Sequence, residues 1–195
     1  MNNVGIFLFN DIELLDFAGP YEVFSVTSEL NEQKLFQVFS ISDDGGEIKS
    51  INGLKVVPDY SFANHPPIDI LIIPGGIGTR AEITKNHVLE WSKNVAASAQ
   101  ITMTVCSGAR IPAKLGLLDH LEATTHHTVF ASLKELAPNI ILNPDKRFVD
   151  NGTIMTAGGI SAGIDLSLHI VKKLHGEAVV NKTIRYMEYG DWRSL

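Results

Sequence analysis

The sequence predicts an α/β domain built on a mainly parallel sheet, from three observations. Short apolar, β-branched runs alternate with longer stretches of helical spacing, as in Asp69-Ile-Leu-Ile-Ile-Pro74 and Ile101-Thr-Met-Thr-Val105 against Ile160 to Leu174. Glycine-bearing turns follow several of those runs, and Asn-Gly pairs mark two hairpins. The only cysteine, Cys106, stands where an apolar strand meets a small-residue helix start.

Taken in order, Val4 to Phe9 predicts a buried first strand with Asn10-Asp11 as its turn. Ile12 to Ser25 has helical character interrupted by Gly19-Pro20, so the helix starts afresh or kinks there, with Val23, Phe24, Thr27 and Leu30 facing inward. Leu35 to Ile41 reads as the next strand, and Glu47 to Ile51 with Leu54 to Val57 as a hairpin about Asn52-Gly53. Asp69 to Pro74 is a central strand, followed by Gly75-Gly76-Ile77-Gly78 and a helix from about Val88 to Ser98. After the Cys106 strand, a helix is expected to run from Ser107 through Ala113, Leu115 and Leu118, with another over Val129 to Leu136. Phe148 to Asp150 and Thr153 to Ala157 flank Asn151-Gly152 as a second hairpin. A long helix then carries Ile160, Ile164, Leu168, Val171 and Leu174 until Gly176, and a last one spans about Ala178 to Met187.

At 195 residues the chain suits one well-buried domain, 1–195. The balance of 16 Lys and Arg against 22 Asp and Glu gives a net charge of −6 with no basic cluster, which argues against a nucleic-acid surface. No apolar run reaches the roughly 20 residues of a membrane span, and the N-terminus lacks the basic start of a signal peptide. A lone cysteine forms no internal disulfide, in keeping with a reducing cytoplasm. The expectation is a soluble cytoplasmic protein acting on a small molecule.

In an open parallel sheet, ligands bind beyond the carboxyl ends of the strands at a switch in strand order. Asn10 to Asp16, Gly75 to Gly78 and Cys106 all qualify and are expected to share a pocket. The strand-to-helix turn would hold the thiol above a helix N-terminus, whose partial positive charge favours thiolate; the alternative is an inert, buried cysteine. Gly75 and Gly76 would offer backbone N–H groups to an oxyanion, or form only a tight turn. Gly76-Ile-Gly78-Thr-Arg-Ala81 matches a dinucleotide fingerprint but follows a mid-chain strand, and Cys106 stands where that fold needs an acid. Asp16 either favours its helix start or, facing the sulfur, keeps a proton and acts as a general acid. Ser107 donates to the sulfur or caps the helix. His126 or His127 would supply an imidazole to the thiol, though adjacent residues of a regular strand cannot both point inward. The remaining histidines share no ligand spacing, so no metal site is predicted.

Several stretches together resemble the DJ-1/PfpI superfamily: Leu15-Asp-Phe-Ala-Gly-Pro-Tyr-Glu-Val-Phe24, Ile72-Ile-Pro-Gly-Gly76, Val105-Cys-Ser-Gly108, Ala123-Thr-Thr-His126 and Thr156-Ala-Gly-Gly-Ile-Ser-Ala-Gly-Ile-Asp165. The first and last are similar to a branch of isonitrile hydratases and the ligand domains of AraC-type regulators. This resemblance implies a flavodoxin-like three-layer αβα sandwich, a homodimer, and a cysteine beside an acid, here Cys106 and Asp16. It implies no cofactor. The hydratases typically have Thr after the cysteine, where Ser107 keeps the hydroxyl; His126 matches the branch's histidine, and His127 replaces a frequent Trp. Peptidases of the family have Cys-His-Gly at the elbow, and Cys-Ser-Gly departs from that. No helix-turn-helix follows in these residues, so the expectation is a lyase converting isonitrile to N-substituted formamide. The alternatives are a ligand or oxidation sensor using Cys106, and a glyoxalase- or deglycase-like activity on 2-oxoaldehydes.

Overall fold

The computed structural model describes Met1–Leu195. The first strand, β1 (Asn2–Phe7), leads through α1 (Leu14–Glu29) to β2 (Phe36–Ser42). A hairpin, β3 (Ile48–Lys49) and β4 (Lys55–Val56), precedes a short strand, β5 (Tyr60–Ser61). Then come β6 (Ile70–Ile73), the single turn α2 (Thr79–Glu82), α3 (Asn86–Ser98) and β7 (Ile101–Val105). A 3-10 turn, Cys106–Ala109, runs into α4 (Arg110–Lys114). Beyond it lie β8 (Glu122–Ala123), α5 (Phe130–Leu136) and β9 (Ile141–Leu142). The chain closes with β10 (Phe148–Asp150), β11 (Ile154–Ala157), α6 (Ala162–His175) and α7 (Glu177–Tyr186).

The main sheet has 7 strands in the order β10-β11-β7-β6-β1-β2-β5, parallel throughout except for the β10–β11 hairpin. Helices α1, α6 and α7 pack together on one side, and α2 to α5 form the other layer. This is the flavodoxin-like α/β sandwich. Ile70 to Ile73 are sealed on both faces, at 1 % exposure or less. A β-strand covered by helices on both sides needs such an unbroken apolar run, and each buried Ile or Leu contributes about 1.5–3 kcal/mol.

The chain leaves β1 toward β2 on one side and returns through β6 on the other. The segments after β1 and β6 therefore diverge into a crevice, and an antiparallel bridge between Ile12 and Gly76 ties its walls together. Glu13 N–H donates to Gly75 O (2.9 Å), and Gly78 N–H to Asp11 O (3.2 Å). This bridge sets where α1 begins.

Four local expectations change or narrow. The helix does not start afresh at Gly19-Pro20, one of the two alternatives there, but runs continuously with Pro20 inside it. Burial of Phe17, Val23, Phe24 and Val26 at about 1.5–3 kcal/mol each outweighs the roughly 3 kcal/mol that an interior proline costs. The helix after Cys106 does not reach Leu118: α4 ends at Lys114, and Gly116 has a φ of 71°. Ile160 is not in α6 but precedes it, at a φ of 43°. The pair β8–β9 forms a small parallel sheet of its own, so His126 and His127 lie in the turn beyond a strand and not within one.

Between the two helices on one face, backbones come close. A Cβ on Gly19 would sit 2.9 Å from Ile164 Cγ1, and one on Gly163 would sit 3.0 Å from the Val105 methyls. Glycine at both points lets α6 press on α1 and on the end of β7.

Candidate active site

Cys106 holds a φ of 55°, a left-handed conformation that costs a residue with a side chain about 1–3 kcal/mol. The surroundings enforce it. Cys106 N–H donates to Gly158 O (2.9 Å), and Thr125 Oγ1 donates to Cys106 O (2.6 Å), so both peptide groups of the residue are held by other loops. The side chain is turned off the sheet into the crevice, as in a nucleophile elbow.

Asp16, in the first turn of α1, is completely buried. Its Oδ2 accepts the Gly75 N–H (2.8 Å), while Oδ1 is buried with no hydrogen-bond partner. A Cβ on Gly75 would lie 2.6 Å from Ser107 N, 2.7 Å from Asp16 Oδ2 and 2.8 Å from Cys106 Cβ. Acid, thiol and elbow backbone thus converge on one Cα. Only glycine leaves room for all three.

Burial raises the Asp16 pKa to about 7, assisted by the Glu13 charge and opposed by the Gly75 N–H and the Cys106 thiol. Burial also pushes Cys106 up to about 12; the Asp16 charge adds to this, while the N–H groups of Ser107 and Ile160 and the Ser107 hydroxyl oppose it. The two groups titrate as a pair. One proton held between them spares the site two adjacent anions. Burial thus works against the thiolate that the helix N-terminus was expected to favour. A 3-10 turn and a five-residue helix have too few aligned peptides to offset desolvation.

Ser107 does not cap the helix. Its hydroxyl donates to Gly76 O (2.9 Å) and accepts the Gly76 N–H (2.9 Å). The amides of Gly75 and Gly76, expected to face an oxyanion, are therefore engaged by Asp16 and Ser107. The amides directed at the sulfur belong to Ser107 and Ile160. Ile160 was missed by sequence reasoning because an apolar residue in a helical pattern gives no sign that its backbone serves a site.

Above the sulfur lies a cavity of about 240 Å³, whose walls include Ser107, Gly76, Ile77, His126 and Ile160. Ile77 is half exposed at 53 %. His126 makes its hydrogen bond to Thr128 Oγ1 (2.8 Å through Nδ1) and none to Cys106; its ring lies 4.2 Å from that of His127. Burial and the neighbouring His127 lower its pKa, with Glu13 opposing, so His126 is neutral at pH 7. A broader depression of about 490 Å³ adjoins the cavity across His126 and Ile160; it contains no cysteine. No group of three His, Cys, Asp or Glu side chains is placed to hold a metal ion, and no helix is long and apolar enough to cross a membrane.

Comparison with known proteins follows the same lines. The family model described as DJ-1/PfpI matches residues 2–173. An isonitrile hydratase of Pseudomonas putida is 30% identical over 187 residues, covering 95% of this chain and 78% of the relative. The HTH-type transcriptional regulator GbdR of Pseudomonas aeruginosa is 26% identical over 174 residues, covering 89% of this chain and 47% of the regulator, so the chain spans about half of that protein. A crystal structure of a ThiJ/PfpI family protein from Pseudomonas syringae superposes with a TM-score of 0.86 at 24% identity, covering 96% of this chain and 75% of the other. With the sheet order, the elbow and the matched length in agreement, this chain belongs to the DJ-1/PfpI family.

Proposed function

We propose that this chain is a cysteine-dependent hydratase that converts a small isonitrile to its N-substituted formamide. The observation that carries the proposal is the completely buried Asp16 carboxyl, raised to about 7, beside a thiol in a small cavity. An acid poised near neutrality is the group that a reaction needs when it must both give and take a proton. The hydratase relative supports the choice of reaction.

In this mechanism the pair starts with one proton. The sulfur of Cys106 adds to the terminal carbon of the isonitrile, and the proton passes from Asp16 to that carbon, giving a thioimidate, S–CH=N–R. The Ser107 and Ile160 amides stabilise the sulfur's charge before it is spent. Water then adds to the same carbon, with Asp16 taking one of its protons and passing it to nitrogen. As the C–S bond breaks, the hydroxyl proton returns to Asp16, the formamide leaves, and the pair is restored. The sum is one isonitrile and one water to one formamide, with no cofactor. We assign Ser107 to holding Gly76 and the attacking water in place, and Ile77 and His126 to the wall that contacts the substrate's N-substituent.

The test is incubation of the purified protein with cyclohexyl isonitrile, following formamide. Turnover is expected to rise with pH through about 7 as the singly protonated pair forms, and to vanish in Cys106→Ala. Absence of turnover in the wild-type protein, or its survival in Cys106→Ala, overturns the proposal.

A second reading, an oxidation sensor, is favoured by the same carboxyl. Protonated Asp16 would donate to a Cys106 sulfinate, and regulators are among the relatives. Selective gain of two oxygens at Cys106 under mild peroxide, without turnover of isonitrile or methylglyoxal, distinguishes it; methylglyoxal consumption would instead indicate the 2-oxoaldehyde chemistry.

A further inference from the structure

Arg110 is the anomaly of the cavity. It opens α4 four residues after Cys106, lines the same cavity, and is only 7% exposed. Its guanidinium donates to Thr79 Oγ1 (3.0 Å) and Ser132 Oγ (3.2 Å), both neutral hydroxyls. It takes part in no ion pair. The exposed Arg80, also in the cavity wall, has no carboxylate partner either and lies close enough to repel it. A buried cation without a counter-ion is costly, and such charges in proteins are ordinarily paired.

The nearby carboxylates are used elsewhere. Asp16 faces Gly75 and Cys106, and Glu82 pairs with Lys85 through Oε1, its buried Oε2 having no partner and forming no ion pair with Arg110. Glu13 acts on Asp16 and His126, whereas the charged groups acting on Arg110 are Arg80 and Cys106. The cavity wall thus carries two guanidiniums, Arg80 and Arg110, with no carboxylate paired to either. We propose that the substrate carries a carboxylate, held by Arg110 with Arg80 while its electrophilic carbon meets the Cys106 sulfur. Arginine's planar fork suits a carboxylate, and a cavity of about 240 Å³ restricts the whole molecule to a few carbons. The inference rests on the hydratase reading only for the nature of the reacting carbon.

Isocyanoacetate and its methyl ester test it, because they differ mainly in charge. The wild-type protein is expected to show a kcat/KM at least about tenfold higher for the carboxylate, expressed chiefly in KM. In Arg110→Met that ratio should fall toward one, and in Arg110→Lys it should be partly retained. Should Arg110→Met fail to fold, Arg80→Met at the exposed position should still lower the ratio about threefold. An ester turned over as well as the acid, or a ratio unchanged by the variants that fold, overturns the proposal. If neither compound is turned over, the hydratase reading fails alone, and calorimetry with isocyanoacetate decides. Saturable binding weakened in the Arg110 or Arg80 variants upholds the carboxylate site, and no binding, or binding indifferent to them, refutes it.

Discussion

Two aspartates in this molecule are displaced in opposite directions. Asp16 is fully buried and receives one backbone N–H, and its pKa rises to about 7. Asp150, at the end of β10, is also raised by partial burial, but His169, Lys173 and the Gly152 N–H outweigh that and hold it at about 2. Burial alone does not decide the charge state of a carboxylate; the supply of donors does. At Asp150 the fold provides three and gains an anchor for α6. At Asp16 it provides one beside a thiol and keeps a proton in place.

Removing the titration at the first site should give the largest effect. Asp16→Asn should lower turnover by about 10²–10⁴-fold and abolish the rise through pH 7. The same variant should be the more stable protein above neutrality. Because the folded-state pKa of Asp16 lies above 3.8, the wild-type protein loses stability as pH rises from about 4 to about 7, by roughly 2–4 kcal/mol, and urea unfolding at pH 5 and pH 8 measures this. Gly75→Ala tests whether the pair depends on close approach. Its methyl would collide with Asp16, Cys106 and Ser107, so a loss of about 1–3 kcal/mol is expected, with activity falling in the protein that remains folded.

The second site should respond more weakly and with the opposite sign. Asp150→Asn should cost about 1 kcal/mol at pH 7, after discounting for solvent screening, and turnover should not change. Since its folded-state pKa lies below 3.8, that contribution is present above about pH 4 and disappears as pH falls through about 2. Lys173→Ala, which removes one 41% exposed partner, should cost only about 0.5 kcal/mol and be sensitive to salt. If Asp150→Asn proved the more stable protein at pH 7, the contrast between donor-rich and donor-poor carboxylates would fail.

Most of the fold was legible because apolar runs and Asn-Gly turns report directly on burial and chain reversal. β6, β7, the β10–β11 hairpin and α6 lie where those signals put them, to within a few residues. β5 was not legible, since two residues at a sheet edge carry no period. Cys106 and Asp16 were legible as candidates, and their contact only through the family resemblance and not from spacing, because it depends on the Ile12–Gly76 bridge joining segments about sixty residues apart. The desolvation that opposes charge on the sulfur was not legible, although Pro112 and Gly116 warned that the helix beneath it is short. Arg110 was passed over as one residue of a helix. Its signal was a lone guanidinium among Ala109, Ile111, Pro112 and Ala113, four residues after the cysteine.

The close crossing of α1 and α6 at Gly19 and Gly163 has a consequence for how such a protein changes over time. It fixes the distance between acid and sulfur from behind, through backbone packing that no ligand touches. Ile77, Arg80 and His126 on the open side can then be exchanged without disturbing the proton-sharing pair. A lineage built this way can pass from transforming a compound to merely detecting it by rewriting its front wall.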